Sequence, residues 1–152
     1  VTTMYLLAAG TIEVECSMAR TYDFASNLEY FPEWFPGVVA IVSGNDMAHG
    51  SPGKVYHEIV HVPLRGSRRV MIRVVQAEPP RSLITEGDLP ALLPRMEIRV
   101  ASLAENRCTL EWRMYSRRRS GWSRFFVLPL AARIMRRRVP HGLARLKALL
   151  EA

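Results

Sequence analysis

Residues 95–114 read RMEIRVASLAENRCTLEWRM, and two regular alternations run through them. Met96, Ile98 and Val100 take every second place, with Arg95, Glu97 and Arg99 between them. Cys108, Leu110, Trp112 and Met114 do the same against Arg107, Thr109, Glu111 and Arg113. A period of two belongs to a strand. One apolar and one charged face mean an antiparallel sheet covered on one side only. Asn106 stands at the expected hairpin between the two strands.

C-terminal to this pair, Leu128, Ala132, Met135, Val139, Leu143, Leu146 and Leu150 step by three or four residues, the stripe of an amphipathic helix. An interior proline costs roughly 3 kcal/mol, so a helix start near Pro129 and a bend near Pro140 are expected. On the N-terminal side, Ser82–Glu86 reads as a short strand, and Pro79-Pro80 separates it from Arg68–Ala77. There Val70, Ile72 and Val74 alternate with Arg69, Met71 and Arg73. Lys54–Val62 alternates as well, and Gly50-Ser51-Pro52-Gly53 is a strong turn signal after the β-rich run Val38–Asn45. Met4–Glu15 suits a strand. Ser17 is a candidate N-cap for a helix presenting Met18, Phe24, Ala25 and Leu28, and Pro32 leaves room for only a short second helix, closed by Pro36-Gly37.

The order is strand, two short helices, about six strands, and one long helix. Strands in a run with helices set apart define an α+β domain. A curved antiparallel sheet of about six to seven strands, with one helix covering its dry face, leaves space between the two. Such apolar clefts commonly hold ligands.

The whole chain limits the other options. At 152 residues one core is expected, residues 1–152 forming one domain. A chain this long buries about 68–70% of its unfolded surface without help from metal or disulfide. No apolar run reaches the roughly 20 residues of a bilayer span. Met4–Ala9 lacks the basic flank of a signal segment, so a cytoplasmic location is expected. Cys16 and Cys108 read as buried thiols. The net charge is +7, and no acidic residue stands between Glu111 and Glu151. That stretch carries Arg117, Arg118, Arg119, Arg124, Arg133, Arg136, Arg137, Arg138, Arg145 and Lys147. A block of this kind is either a solvated helix face or a contact for an anionic membrane or RNA.

Few residues point to chemistry. His57 and His61 are four apart, but on a strand they stand roughly 13 Å from each other, too far to share an ion. No metal and no cofactor are expected. Tyr56 and Glu58 share one face of their strand with Val60 and Val62. If that face is the inner one, a hydroxyl and a carboxylate stand among apolar neighbours, and a desolvated carboxylate is either paired or raised in pKa. If it is the outer one, both face water. Trp112 and Met114, with Phe125 and Phe126 beyond, either line the space or fill it, while Trp34 reads as an anchor for the short helices. Gly50–Gly53 is not followed by a helix and so lacks the context of a nucleotide loop.

Several short stretches, in this order, resemble the START-like (SRPBCC, helix-grip) superfamily, which includes polyketide cyclase/dehydrase and coenzyme Q-binding proteins. They are Tyr22-Asp23-Phe24, Trp34-Phe35-Pro36-Gly37-Val38, Gly53-Lys54-Val55-Tyr56, Glu78-Pro79-Pro80-Arg81-Ser82-Leu83 and Leu143-Ala144-Arg145-Leu146-Lys147. The resemblance spans nearly the whole chain and implies a cavity for a hydrophobic or amphipathic molecule. Aromatic polyketide cyclases of this kind usually carry an arginine on the strand before the turn matched by Glu78-Pro79. Here Val75 stands at or near that place, and Arg73, the nearest arginine, has the parity of the wet face.

The leading expectation is a non-catalytic carrier or binder of a lipid, quinone or polyketide. Its ligand-binding candidates are Tyr56, Glu58, Val60, Val70, Ile72, Val74, Met96, Ile98, Leu110, Trp112, Met114, Phe125 and Phe126. The alternative is a cyclase, aromatase or dehydratase in which Tyr56 and Glu58 move protons. A third reading places Arg136, Arg137 and Arg138 against RNA or an anionic membrane. The oligomeric state stays open, a homodimer included.

Overall fold

The computed structural model describes residues 4–62, 65–118 and 126–152, the side chain of Val62 excepted. Alternating sequence becomes strand wherever it was expected: β1 (Tyr5–Val14), β2 (Val38–Ser43), β3 (Val55–Val62), β4 (Gly66–Glu78), β5 (Ser82–Gly87), β6 (Pro94–Ala104) and β7 (Arg107–Ser116). The seven form one antiparallel sheet in the order β1-β7-β6-β5-β4-β3-β2. Every neighbour is sequential except the pair β1–β7, which joins the first strand to the last. Register shifts interrupt the ladders at Leu6/Ala8, Val38/Ala40, Val74/Gln76 and Ser102/Ala104. An extra residue on one strand bends it and tightens its twist, so these shifts curve the sheet.

Between β1 and β2 stand α1 (Met18–Ser26), a 3₁₀ turn (Leu28–Tyr30) and α2 (Phe31–Trp34). Ser17 caps α1 by accepting from the backbone N–H of Arg20 at 3.2 Å, which satisfies one of the donors a helix start leaves free. Asn27 does the same for the 3₁₀ turn through the N–H of Glu29. Trp34 is fully buried and meets Phe31 and Phe35 edge-on, anchoring α2.

The last helix, α3 (Leu128–Glu151), begins one residue before Pro129 and continues through Pro140 without a break. Pro140 lies on the exposed side, where the carbonyl it leaves without a donor can turn to water. The expected stripe is the buried one: Leu128, Ala132, Val139, Leu143, Leu146 and Leu150, with Met135 half-buried. It rests along β1, and the approach is close. A Cβ at Gly10 would stand 2.6 Å from Leu143 Cδ1 and 2.9 Å from Val139 Cγ1. Lys147 Nζ donates to the Glu13 carbonyl at 2.6 Å, and Glu151 accepts the Glu15 N–H at 2.8 Å, latching the end of the helix onto the end of β1. No helix among the described residues is long and apolar enough to cross a membrane.

The apolar faces of β4, β6 and β7 point inward as their alternation requires, with Val70, Val74, Met96, Ile98, Val100, Leu110 and Trp112 all buried. Cys16 and Cys108 are buried free thiols, and Cys108 donates to Thr21 Oγ1. Burial separates into two apolar clusters. One is the large core reached by Val139 to Leu150, and the other is small, built on Leu7, Leu128 and Ala132. Between them α3 stands away from β3 and β4, and a cavity remains.

Candidate functional site: an apolar cavity with two polar ends

The cavity has a volume of about 460 Å³, within the roughly 300–1,000 Å³ typical of ligand sites. Three walls enclose it. The sheet contributes Glu58, Val60, Val70, Pro94 and Met114; the α2 segment contributes Phe31, Phe35, Pro36 and Gly37. The third wall is a second stripe running from the N-cap Val127 along α3: Leu130, Ile134 and Arg138, with Ala131 and Met135 beside it. These residues also step by three or four, but they lie off the stripe that packs on β1. Leu89, Ala91 and Leu92 close one end from the β5–β6 loop. A side pocket of about 50 Å³ adjoins it, sharing Glu58, Phe31, Pro94 and Met114 and adding Ile72, Thr85 and Met96.

Of the ligand-binding candidates, Glu58, Val60, Val70, Met114 and Phe126 line the main cavity, and Ile72 and Met96 line the side pocket. Val74, Ile98, Leu110 and Trp112 belong to the packed core and line neither pocket. Trp112 stands one layer behind the wall, its ring 5.1 Å from that of Phe35. Phe125 lies outside the described residues, as do Trp122, Arg119 and Arg124. Phe31, Phe35, Leu89, Leu130, Ile134 and Arg138 line the cavity but are not among the ligand-binding candidates read from the sequence, where Arg138 stands only as an RNA or membrane contact. The spacing of Leu130, Ile134 and Arg138 is the signal that could have found the helix wall, and the aromatic run Phe31-Pro32-Glu33-Trp34-Phe35 the α2 wall.

Tyr56 and Glu58 both turn inward and then part company. Tyr56 is fully buried in the core. Its hydroxyl meets His49 Nδ1 at 2.6 Å, and His49 Nε2 lies 3.2 Å from Glu29. Burial pushes this hydroxyl up to about 12, so it is no ready proton donor at neutral pH. The chain Glu29–His49–Tyr56 ties the β2–β3 loop to the 3₁₀ turn, away from the cavity.

Glu58 faces the void. It is 8% exposed, yet among the described residues its carboxyl has no hydrogen-bond or ion-pair partner. A buried carboxylate without a partner is costly, and the group responds by holding its proton. Burial alone pushes Glu58 up to about 7.

Arg138 marks the opposite character. The run Arg136-Arg137-Arg138 does not present one surface: Arg136 and Arg137 are exposed, whereas Arg138 is half-buried and lines the cavity. Its guanidinium fills the space above Gly37, where a Cβ would come within 2.7 Å of the guanidinium carbon. Gly37 has φ +90°, so glycine serves there both for the backbone and for the arginine. Desolvation lowers the Arg138 pKa, and among the described residues no carboxylate offsets it. His61 and Arg65 stand exposed at the same rim, and the His61 N–H donates to the Gly37 carbonyl at 3.0 Å. Among the described residues no three His, Cys, Asp or Glu side chains converge as a metal site.

This architecture, a curved antiparallel sheet wrapped around a long C-terminal helix, is the helix-grip fold of START-like proteins. The model of the family described as "Polyketide cyclase / dehydrase and lipid transport" matches residues 7–151, and the chain belongs to that family. Solved structures agree on the fold. A START superfamily protein from Mycobacterium smegmatis superposes with a TM-score of 0.73 at 15% identity, covering 95% of this chain and 96% of that one. The KanY protein gives 0.76 at 16% identity, covering 99% and 100%. The di-domain ARO/CYC StfQ from the steffimycin biosynthetic pathway gives 0.72 at 13% identity; 97% of this chain matches 51% of that one. A search of curated protein sequences gives no match.

Proposed function

We propose that this protein binds a hydrophobic or amphipathic small molecule of the lipid, quinone or polyketide kind in the cavity between sheet and α3. The observation that carries this reading is the cavity itself: about 460 Å³ of mostly apolar wall in a domain whose other inward faces are packed. Apolar surface left facing water is unfavourable, so a concave wall of this size, with Leu130 and Phe126 exposed at it, speaks for an apolar occupant. Native mass spectrometry of freshly purified protein, followed by denaturing extraction, tests it. A co-purifying apolar molecule, or a rise in Tm with an added one, is the expected result. A clean apo mass together with no thermal shift across lipids, quinones and aromatic polyketides overturns it.

Glu58 favours a second reading, in which the same cavity catalyses cyclisation or dehydration of a polyketide-like substrate. A carboxyl poised near 7 and free of partners inside an apolar chamber is suited to give and take a proton at neutral pH. The walls would hold the chain in one folded arrangement. The arginine expected of an aromatic cyclase is not in the cavity wall. Val75 occupies the register shift of β4 and is 40% exposed, and Arg73 is on the outer face. Any such chemistry therefore rests on Glu58. Loss of product in Glu58→Gln, with binding retained, supports it; unchanged turnover removes it.

A further inference from the structure

Two arginines line the cavity among the described residues, exposed Arg65 at its rim and half-buried Arg138, and Arg138 differs from the paired cations of the fold. Arg95 has Glu86 and Glu97, Arg117 has Glu86, Arg113 has Glu111, Arg107 has Glu13 and Lys147 has Glu151, each within 4 Å. Arg138 has no carboxylate or hydrogen-bond acceptor among the described residues. A guanidinium half-withdrawn from water carries part of its desolvation cost uncompensated until an anion pairs with it. The glycine opposite it, with its left-handed backbone, keeps open the space that the guanidinium occupies. Arg65 adds positive charge at the rim beside His61, whose backbone N–H is bonded to Gly37, and among the described residues no acidic side chain other than Glu58 lines the cavity.

We propose that Arg138 is the anion-binding end of the cavity, so that the ligand is an amphipathic acid whose carboxylate or phosphate pairs with the guanidinium at the rim. Its apolar body runs inward along Val60, Val70, Ile134 and Met114. Glu58, the only acidic side chain in the wall among the described residues, stands where a neutral polar group of the ligand, a carbonyl or hydroxyl, would accept its proton in a hydrogen bond. Arginine offers a planar fork of donors suited to either head group. This assignment rests on the cavity being a ligand site and adds the class of ligand.

Calorimetric titration with three probes sharing one chain tests it: decanoate, decyl phosphate and decanol. The expected result is that at least one acid binds tenfold or more tighter than decanol. In Arg138→Gln that preference disappears while decanol affinity stays as it was. Arg137→Gln, exposed on the same helix, keeps the preference. Which acid binds more tightly tells a carboxylate from a phosphate head group. Acids and alcohol binding alike, or a preference that survives Arg138→Gln in a variant with unchanged Tm, overturns the anion site and leaves the cavity reading standing. Failure of all three to bind overturns the amphipathic-acid assignment, while the cavity reading stands or falls on the extraction and thermal-shift test.

Discussion

Replacing Glu58 by glutamine should change how stability depends on pH, and the size of the change follows from burial. In the unfolded chain this carboxyl loses its proton near its ordinary value of 4.5, whereas in the folded protein it keeps it to about 7. Between those limits the native state binds more protons than the unfolded state, so stability falls as pH rises. Below about pH 4.5 both states are protonated and the stabilising contribution is complete; above about pH 7 both are ionised and it is lost. At about 1.4 kcal/mol for each unit of pKa difference, the loss amounts to about 3 kcal/mol. Glutamine occupies nearly the same volume and does not titrate. Wild type should therefore lose about 3 kcal/mol relative to Glu58→Gln between about pH 4 and about pH 8. Every other group, including Glu151, whose pKa is lowered chiefly by the Glu15 N–H, is common to both proteins and cancels. Urea unfolding followed by tryptophan fluorescence gives the numbers, since Trp34 and Trp112 are fully buried. A wild-type stability that, relative to the variant, stays flat with pH or rises with it refutes the placement of an unpaired carboxyl in the cavity wall.

Neighbouring positions on α3 should respond in opposite ways to added bulk. Ile134→Trp fills the cavity, so decanol affinity in the same titrations should fall at least tenfold with little change in Tm. Ala132→Phe forces a ring into the packed Leu7–Leu128 cluster and should cost about 1–3 kcal/mol by urea unfolding. Gly10→Val should cost a similar amount, because its branches meet Leu143 and Val139 where the helix lies on β1. Tyr56→Phe removes the hydroxyl held by His49 and should cost about 1 kcal/mol, with ligand titrations unchanged; weakened binding would place Tyr56 nearer the ligand than its burial allows.

The local periodicities carried most of the fold. Alternation in β4, β6 and β7 and the stripe from Leu128 to Leu150 state which side of each element is covered, because burial selects residue by residue along a fixed geometric repeat. The cap at Ser17 and the turn at Gly50–Gly53 were equally readable, since a few adjacent atoms determine them. The site was less so. Glu58 was legible as a candidate, but β3 carries polar residues on both faces, Tyr56 and Glu58 on one and His57 and His61 on the other, so its alternation alone does not say which face is covered. Nor does it separate Tyr56 in the core from Glu58 at the void, two residues on. Arg138 hides in a run of three arginines whose chemistry is identical. Only the phase of the helix, set by Val139 and Leu143 on β1, turns the third one inward. A period tells which face of an element leaves water. What that face meets, and whether it meets packed atoms or open space, depends on where α3 parts from the curved sheet, and that distance is a property of the assembled walls.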